Sequence, residues 1–463
     1  MKFEKLKEIS FHYKVSIKKV LTVFNKTATI TENKGFGLVI DDENKCIGVI
    51  SDGDIRNKIV LGLDINSPVK DAMNKKYVFV KDSDNYHTVL RQFDKKITNL
   101  PVLNENGVPV DLFQYSKFLA STRSEAKIIR ARVPVRISYS GGGTDFSHYI
   151  NEIESTVLSS TINKYCTASV IIRDDQEIHI TSKDLGISYN SKSLSQMQFG
   201  DKLDLLKAAI KIMEPKYGFN LETFAELEPG TGLGGSSAIV VAVIGALNYF
   251  QNENQLDIYQ IADLAYQVER IDMKIIGGWQ DQYSTAFGGF SCIEFRKNDV
   301  VVNPILLRRE TLLELEYNLM LFRLGSNRSS SEIQKRHQKN IAKNHNIFKK
   351  INLLTINMKD ALLKGDVKLF GDLLHDSWLL KKKMNDKITN PFVDECYNLA
   401  IELGALGGKL LGAGSSGYLL FYVSPLYQFK VKKALAKKGV NQEMFKFNQS
   451  GLEVWTTKRG ELI

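Results

Sequence analysis

The chain is poor in cysteine: Cys46, Cys166, Cys292 and Cys396 are the only four in 463 residues. None is spaced from another like a metal ligand, so reduced, structural thiols are expected. No apolar run is long enough for a membrane. The most hydrophobic stretch, residues 238–250, falls short of the roughly 20 residues a spanning helix needs. The first eight residues alternate charge and lack the apolar core of a secretory leader, so a cytoplasmic protein without a membrane partner is expected. Zinc-finger spacing, an aromatic RNA-binding signature and low-complexity segments are absent as well. The net charge is +10, yet the lysines sit in mixed runs such as residues 430–438, which have the pattern of solvated helix faces. Attraction of small anions accounts for the excess, and no nucleic-acid partner is expected.

The composition is that of a soluble globular chain, with 43% hydrophobic and 25% charged residues and length for two or three cores. An internal repeat opens it. The stretch LVIDDENKCIGV at 38–49 is echoed by LPVLNENGV at 100–108, each an apolar strand, an acidic Asn-containing turn and a second strand starting at Gly-Val. The repeat resembles a tandem pair of cystathionine-β-synthase-type (CBS) domains over residues 10–120. That resemblance implies adenosine-nucleotide binding, with Ser51 and Asp54 holding the ribose hydroxyls. Val110 and Phe113 stand at the corresponding places of the second copy, so at most one ribose site is expected. A pair that only dimerises the enzyme is the alternative.

Three glycine-rich motifs follow. In RVPVRISYSGGGTDF (132–146) a strand feeds a turn ending in a hydroxyl and a carboxylate, which makes Gly142, Gly143, Thr144 and Asp145 candidates for gripping a polyol. The second is Pro229, Gly230, Thr231, Gly232, Leu233, Gly234, Gly235, Ser236 and Ser237, running into the apolar stretch 239–247. Unpaired N–H groups and the positive end of the ensuing helix suit a triphosphate. It is not a Walker loop, because no Lys follows Gly234 or Gly235. Nor does it sit in an opening βαβ unit with an acidic residue about 20 positions on. The third is GGKLLGAGSSG (407–417), where Gly412, Ala413 and Gly414 precede an apolar strand and are candidates for close approach to phosphates or substrate, a structural hairpin being the alternative.

In this order the motifs resemble the GHMP kinases, the superfamily of galactokinase, homoserine kinase, mevalonate kinase and phosphomevalonate kinase, over residues 130–463. The strings SGGGTD (140–145), GGWQDQY (277–283), AFGGF (286–290) and NRSSSE (327–332) resemble the D-glycero-D-manno-heptose 7-phosphate kinases of bacterial surface-polysaccharide synthesis. One glycine beyond the usual Gly-Leu-Gly-Ser-Ser, and Ser415-Ser416 in place of glycines, depart from the pattern. The implied fold class is α+β (α/β mixed): a CBS pair at 1–122, a linker at 123–130, an ATP-binding domain at 131–305 and a C-terminal domain at 306–463. The implied chemistry is ATP- and Mg²⁺-dependent phosphorylation of the anomeric hydroxyl of a sugar phosphate. Its catalytic residue would be Asp281, with Arg136 pairing with it and stabilising charge on the transferring phosphoryl. Glu269 and the hydroxyl of Ser237, or of Ser236, would ligate Mg²⁺. Arg328, and Lys382 or Lys383, are candidates for the sugar's own phosphate. A homodimer or higher homo-oligomer is expected. Rival readings are a 1-kinase for a free sugar such as fucose, and a nucleotide sensor that has lost catalysis.

Overall fold

The structure, a computed structural model, describes residues 3–27, 35–84, 86–93, 97–114, 128–151, 154–250, 255–297, 299–325 and 344–457. The chain forms two compact units, Met1–Glu125 and Ala126–Ile463. Among the described residues no helix is long and apolar enough to cross a membrane. The four cysteines are free, and burial pushes Cys166 up to about 12 and Cys292 to about 11, which leaves both thiols inert.

The first unit is a doubled βαββ pattern. Strand β1 (Ser10–His12) is followed by α1 (Ile17–Thr27), β2 (Phe36–Ile40), β3 (Cys46–Ser51) and α2 (Asp52–Val60). Its second half has β4 (Val80–Lys81), α3 (Tyr86–Phe93), β5 (Asn99–Leu103) and β6 (Pro109–Gln114). In both halves the first pair of strands is parallel and the second antiparallel. Helix α1 buries Ile17, Val20, Phe24 and Thr27, a single stripe along one face. The registers correct the alignment drawn from the sequence. Phe36 pairs with Ser51 as Asn99 pairs with Gln114, and the buried Gln114 is therefore the counterpart of Ser51. Each hairpin carries a bulge near its turn, and the intervening loops differ in composition, which hid the four-residue offset. Gly48 accordingly lies inside β3, whereas Gly107 precedes β6.

The second unit begins with β7 (Ile128–Ser140), inside the segment expected to be linker, and continues with β8 (Ser155–Ile172), β9 (Ile178–Ser182), β10 (Ile187–Ser191), α4 (Asp204–Met213) and β11 (Phe219–Ala225). Next come α5 (Gly235–Phe250), α6 (Ile258–Tyr266), a π-turn (Gln267–Asp272), α7 (Gln280–Phe287), β12 (Phe290–Arg296) and β13 (Asp299–Pro304). The eighteen residues of β8 pair with β7, β11 and β12 and make it the spine of a nine-stranded sheet. Helix α5 packs on β7 and β8 with Val240 to Leu247 fully buried. A helix this apolar all round has no solvent face and must sit in a core.

The remainder comprises α8 (Arg309–Asn318), β14 (Leu319–Gly325), α9 (His345–Lys364), α10 (Val367–Met384), α11 (Pro391–Glu402), β15 (Ala405–Leu410), β16 (Gly417–Val423), α12 (Pro425–Ala436) and β17 (Asn441–Glu443). Strands β15, β16, β14 and β17 make a second sheet in that order. Trp378, Phe348, Phe322 and Phe421 form its core. The chain then returns to the first sheet: β18 (Phe447–Asn448) pairs with β8 and β19 (Glu453–Thr457) with β7. Residues after 305 thus complete a sheet begun before it.

Candidate active site

Pro134 and a β-bulge aim the first functional side chain. Proline has no N–H for a ladder, and here it marks a register shift: Pro134 faces Tyr165, while Arg136 faces Thr161. The bulge frees the N–H of Arg136, which donates to Leu233 O at 2.9 Å, so β7 is tied to the glycine loop. The Arg136 side chain is buried and donates from Nη1 to Gly232 O at 2.7 Å. Its Nε and Nη2 both donate to Oδ1 of Asp281, at 2.9 and 2.7 Å. Oδ2 of Asp281 carries no hydrogen bond among the described residues, and that side chain is 25% exposed.

The second motif forms a loop in which Gly230, Gly232 and Gly234 alternate at φ near +80°, a conformation that favours glycine at each. It crosses the third motif at closest range. A Cβ on Gly412 would lie 2.3 Å from Gly232 Cα, and one on Gly417 would lie 2.4 Å from Thr231 O. Glycine is needed here for contact between backbones. The third loop is fastened on its other side by Ser415 N–H donating to Ile388 O at 2.8 Å and Asn390 Nδ2 donating to Ser415 O at 2.7 Å. Gly414 is packed against Ile388, and Ala413 is half-buried beside it.

Where α5 begins, Ser236 and Ser237 donate to opposite oxygens of Glu269, at 2.8 and 2.5 Å. Glu269 is fully buried in the π-turn, an irregular element often found at functional sites. Gln282 Nε2 donates to Glu269 Oε2 and, at 3.2 Å, to Ser237 Oγ. Ser237 is fully enclosed while Ser236 is exposed, so Ser236 is the serine open to a ligand arriving at the loop. Of the two serines named for the metal, Ser237 and then Ser236, the exposed one is Ser236. The extra glycine is Gly235, the first residue of α5, with nothing near its Cβ direction.

The first motif divides between surface and interior. Gly142 and Gly143 are half-exposed at the turn, with Gly142 over Ser138 and Gln280. Thr144 corrects an expectation. It is fully buried, donates to Gly141 O at 2.8 Å and bonds Ser155, so it shapes the turn and presents no group to a polyol. Asp145 is 4% exposed and accepts from the N–H groups of Gly143 (2.9 Å) and Gln280 (2.8 Å), holding α7 to the turn. Burial raises its carboxyl above the usual range, those two donors oppose the shift, and Asp281 adds to it. A Cβ on Gly278 would strike this carboxylate at 2.1 Å, which explains the glycine before Trp279.

Arg328 lies outside the described residues, as does the rest of the 327–332 string. Lys382 pairs with Asp394 at 3.4 Å and Lys383 is exposed. Their neighbour Lys381 instead turns inward, donating to Gly412 O at 2.6 Å and Leu410 O at 3.1 Å. Lys409, 3% exposed, donates to Tyr139 O at 2.9 Å. Sequence inspection passed over Gln282, Lys381 and Lys409. Only the adjacency of Gln282 to Asp281 could have flagged it. In the first unit, Ser51 caps α2: it accepts from Asp54 N–H at 3.2 Å and donates to Asp54 Oδ2 at 2.5 Å. A separate cleft of about 620 Å³, lined by Ser147, Tyr259, Asp263, Trp279 and Tyr283 among others, contains neither Arg136, Asp281 nor Glu269.

A glycine loop at a helix start, a serine–glutamate cluster of hard oxygens and an arginine-bound aspartate meet here, and the chain belongs to the GHMP kinase family. "GHMP kinases N terminal domain" matches residues 204–289, "GHMP kinases C terminal" matches 358–441, and the CBS domain matches 7–61 and 69–113. The chain is 34% identical to D-glycero-alpha-D-manno-heptose 7-phosphate kinase of Campylobacter jejuni, over 71% of this chain and 99% of that one. A solved D-glycero-D-manno-heptose 1-phosphate kinase from Bacteroides thetaiotaomicron superposes with a TM-score of 0.61 at 31% identity, covering 71% and 99%. Lactococcus lactis galactokinase shares the fold alone, with TM-score 0.57 and 19% identity over 74% and 99%. The protein is a sugar kinase, an ATP-dependent phosphotransferase with an N-terminal CBS pair.

Proposed function

We propose that this kinase phosphorylates the anomeric hydroxyl of D-glycero-D-manno-heptose 7-phosphate, giving the 1,7-bisphosphate. The observation that carries the chemistry is the Arg136–Asp281 pair bound to Gly232 O at the mouth of the glycine loop. The relative at 34% identity carries the choice of sugar. Backbone N–H groups of residues 230–237 hold the triphosphate. Because Arg136 occupies Oδ1, Asp281 receives the acceptor hydroxyl on Oδ2. The hydroxyl oxygen bonds to the γ-phosphorus, its proton leaves through Oδ2, and the bond to the β–γ bridging oxygen breaks with its electrons going to ADP. Arg136 also stabilises charge on the phosphoryl. Mg²⁺ would neutralise phosphate charge, and the hard oxygens of Glu269 and Ser236 suit it, with Ser237 and Gln282 orienting the carboxylate. The first unit would bind an adenosine nucleotide near Ser51 and Asp54 and join protomers into a homo-oligomer.

ADP release should be measured with ATP, Mg²⁺ and a panel of sugars and sugar phosphates. Stimulation by the heptose 7-phosphate above fucose, galactose and the unphosphorylated heptose is expected. A preference for a free sugar would replace the substrate, and silence across the panel would remove the acceptor assignment.

A further inference from the structure

Three basic side chains from three elements converge where the two glycine loops cross. Arg136 comes from β7, Lys381 from α10 and Lys409 from β15. Arg136 touches Gly232 O and Lys381 touches Gly412 O, the two residues whose backbones abut. Lys381 lies within electrostatic reach of Arg136, Asp281 and Lys409. Among the described residues, Asp281, already bonded twice to Arg136, is the one carboxylate of the charged groups that bear on Lys381. Two of the three ammonium donors of Lys381 rest on carbonyls, which satisfy hydrogen bonding without cancelling charge. Crowding cations at a poorly solvated corner is unfavourable unless an anion arrives to share them.

We propose that Lys381 is a further catalytic residue of this kinase, binding the transferring phosphoryl group through its remaining donor while Arg136 holds Asp281. The inference rests on the phosphotransferase reading of the same site. Lys381 makes and breaks no covalent bond. It remains protonated and offsets the negative charge spread over the phosphoryl oxygens. Its environment agrees: burial, then Arg136, push the ammonium down to about 7 against the opposing pull of Asp281, and an incoming phosphate would restore it.

The test compares the full-length wild type with Lys381→Met and Lys381→Arg. In turnover, Lys381→Met should lower kcat about 100-fold while acceptor KM moves less than about threefold. Lys381→Arg should recover part of kcat. The alkaline decline of wild-type kcat should be missing from Lys381→Arg, whose charge does not titrate there. A binding arm needs no acceptor: titration calorimetry should show that wild type holds a Mg²⁺-bound non-hydrolysable ATP analogue more tightly than ADP, a difference that Lys381→Met loses. Three results would overturn the proposal. One is unchanged kcat with a raised KM for the phosphorylated acceptor only, which would assign Lys381 to the sugar's own phosphate. Another is activity loss that follows thermal stability and is not rescued by Arg. The third is an unchanged preference for the ATP analogue in Lys381→Met. If no sugar drives turnover yet that preference is lost, the acceptor assignment fails and the role of Lys381 stands.

Discussion

Replacing Gly412 by alanine tests whether the two glycine loops must touch for catalysis. Gly412 has φ +72°, and its added Cβ would lie 2.3 Å from Gly232 Cα and 2.9 Å from Gly232 O. Carbon atoms pack at about 3.5 Å, so the loops must part by about 1 Å. The left-handed backbone adds about 1–2 kcal/mol. Because Gly412 O supports Lys381 and Gly232 O supports Arg136, the separation spreads to both cations. A misplacement of that size at a transfer site costs about 100-fold in rate. Gly439→Ala separates clash from strain. Gly439 has φ +78° with nothing within 4 Å of its Cβ direction, and it lies after α12. Both variants should lower the Tm by a few degrees, and only Gly412→Ala should lose kcat/KM in the ADP-release assay. Retention of kcat/KM within about threefold in Gly412→Ala, or an equal loss in Gly439→Ala, would refute the reasoning.

Asp281→Asn should abolish turnover yet leave calorimetric ATP binding intact; undiminished turnover would take Asp281 out of the chemistry. Lys381 also gives stability a pH dependence. Its folded value of about 7 lies below the ordinary 10.5, so between those values the unfolded chain binds more protons and stability rises with pH. Relative to Lys381→Met, wild type should therefore gain stability from pH 7 to pH 10 in denaturant titrations, and a flat or opposite difference would contradict this. For the first unit, Asp54→Ala in the full chain should weaken AMP binding at least about tenfold. Loss of the α2 cap should cost only about 1 kcal/mol, and unaltered AMP affinity would leave the pair without a ribose site there.

Much of the site was legible because its residues need particular local chemistry. Glycines at alternating left-handed positions, serines opening a helix and an aspartate after Gly-Gly-Trp-Gln all leave a local mark. The apolar strand expected after the third motif is β16, legible because a wholly buried strand is one apolar run. What escaped depends on distant chain. Lys382 or Lys383 was named and Lys381 was not, because only the packing of α10 on β15 decides which of three adjacent lysines turns inward. The hydroxyl of Thr144 points inward because Gly141 O accepts its hydrogen and Ser155, eleven residues on, bonds its oxygen. The repeat was found, but its register was set by bulges that a sequence alignment does not display. The π-turn that directs Glu269 at both serines has no mark in the apolar pattern.

Phosphorus NMR of the product is the most direct measurement of the central claim. With ATP, Mg²⁺ and D-glycero-D-manno-heptose 7-phosphate, transfer to the anomeric oxygen predicts a second phosphomonoester resonance, coupled to the anomeric proton and growing in step with ADP. A new resonance coupled to any other sugar proton, or ADP formed with the 7-phosphate signal alone, would contradict it.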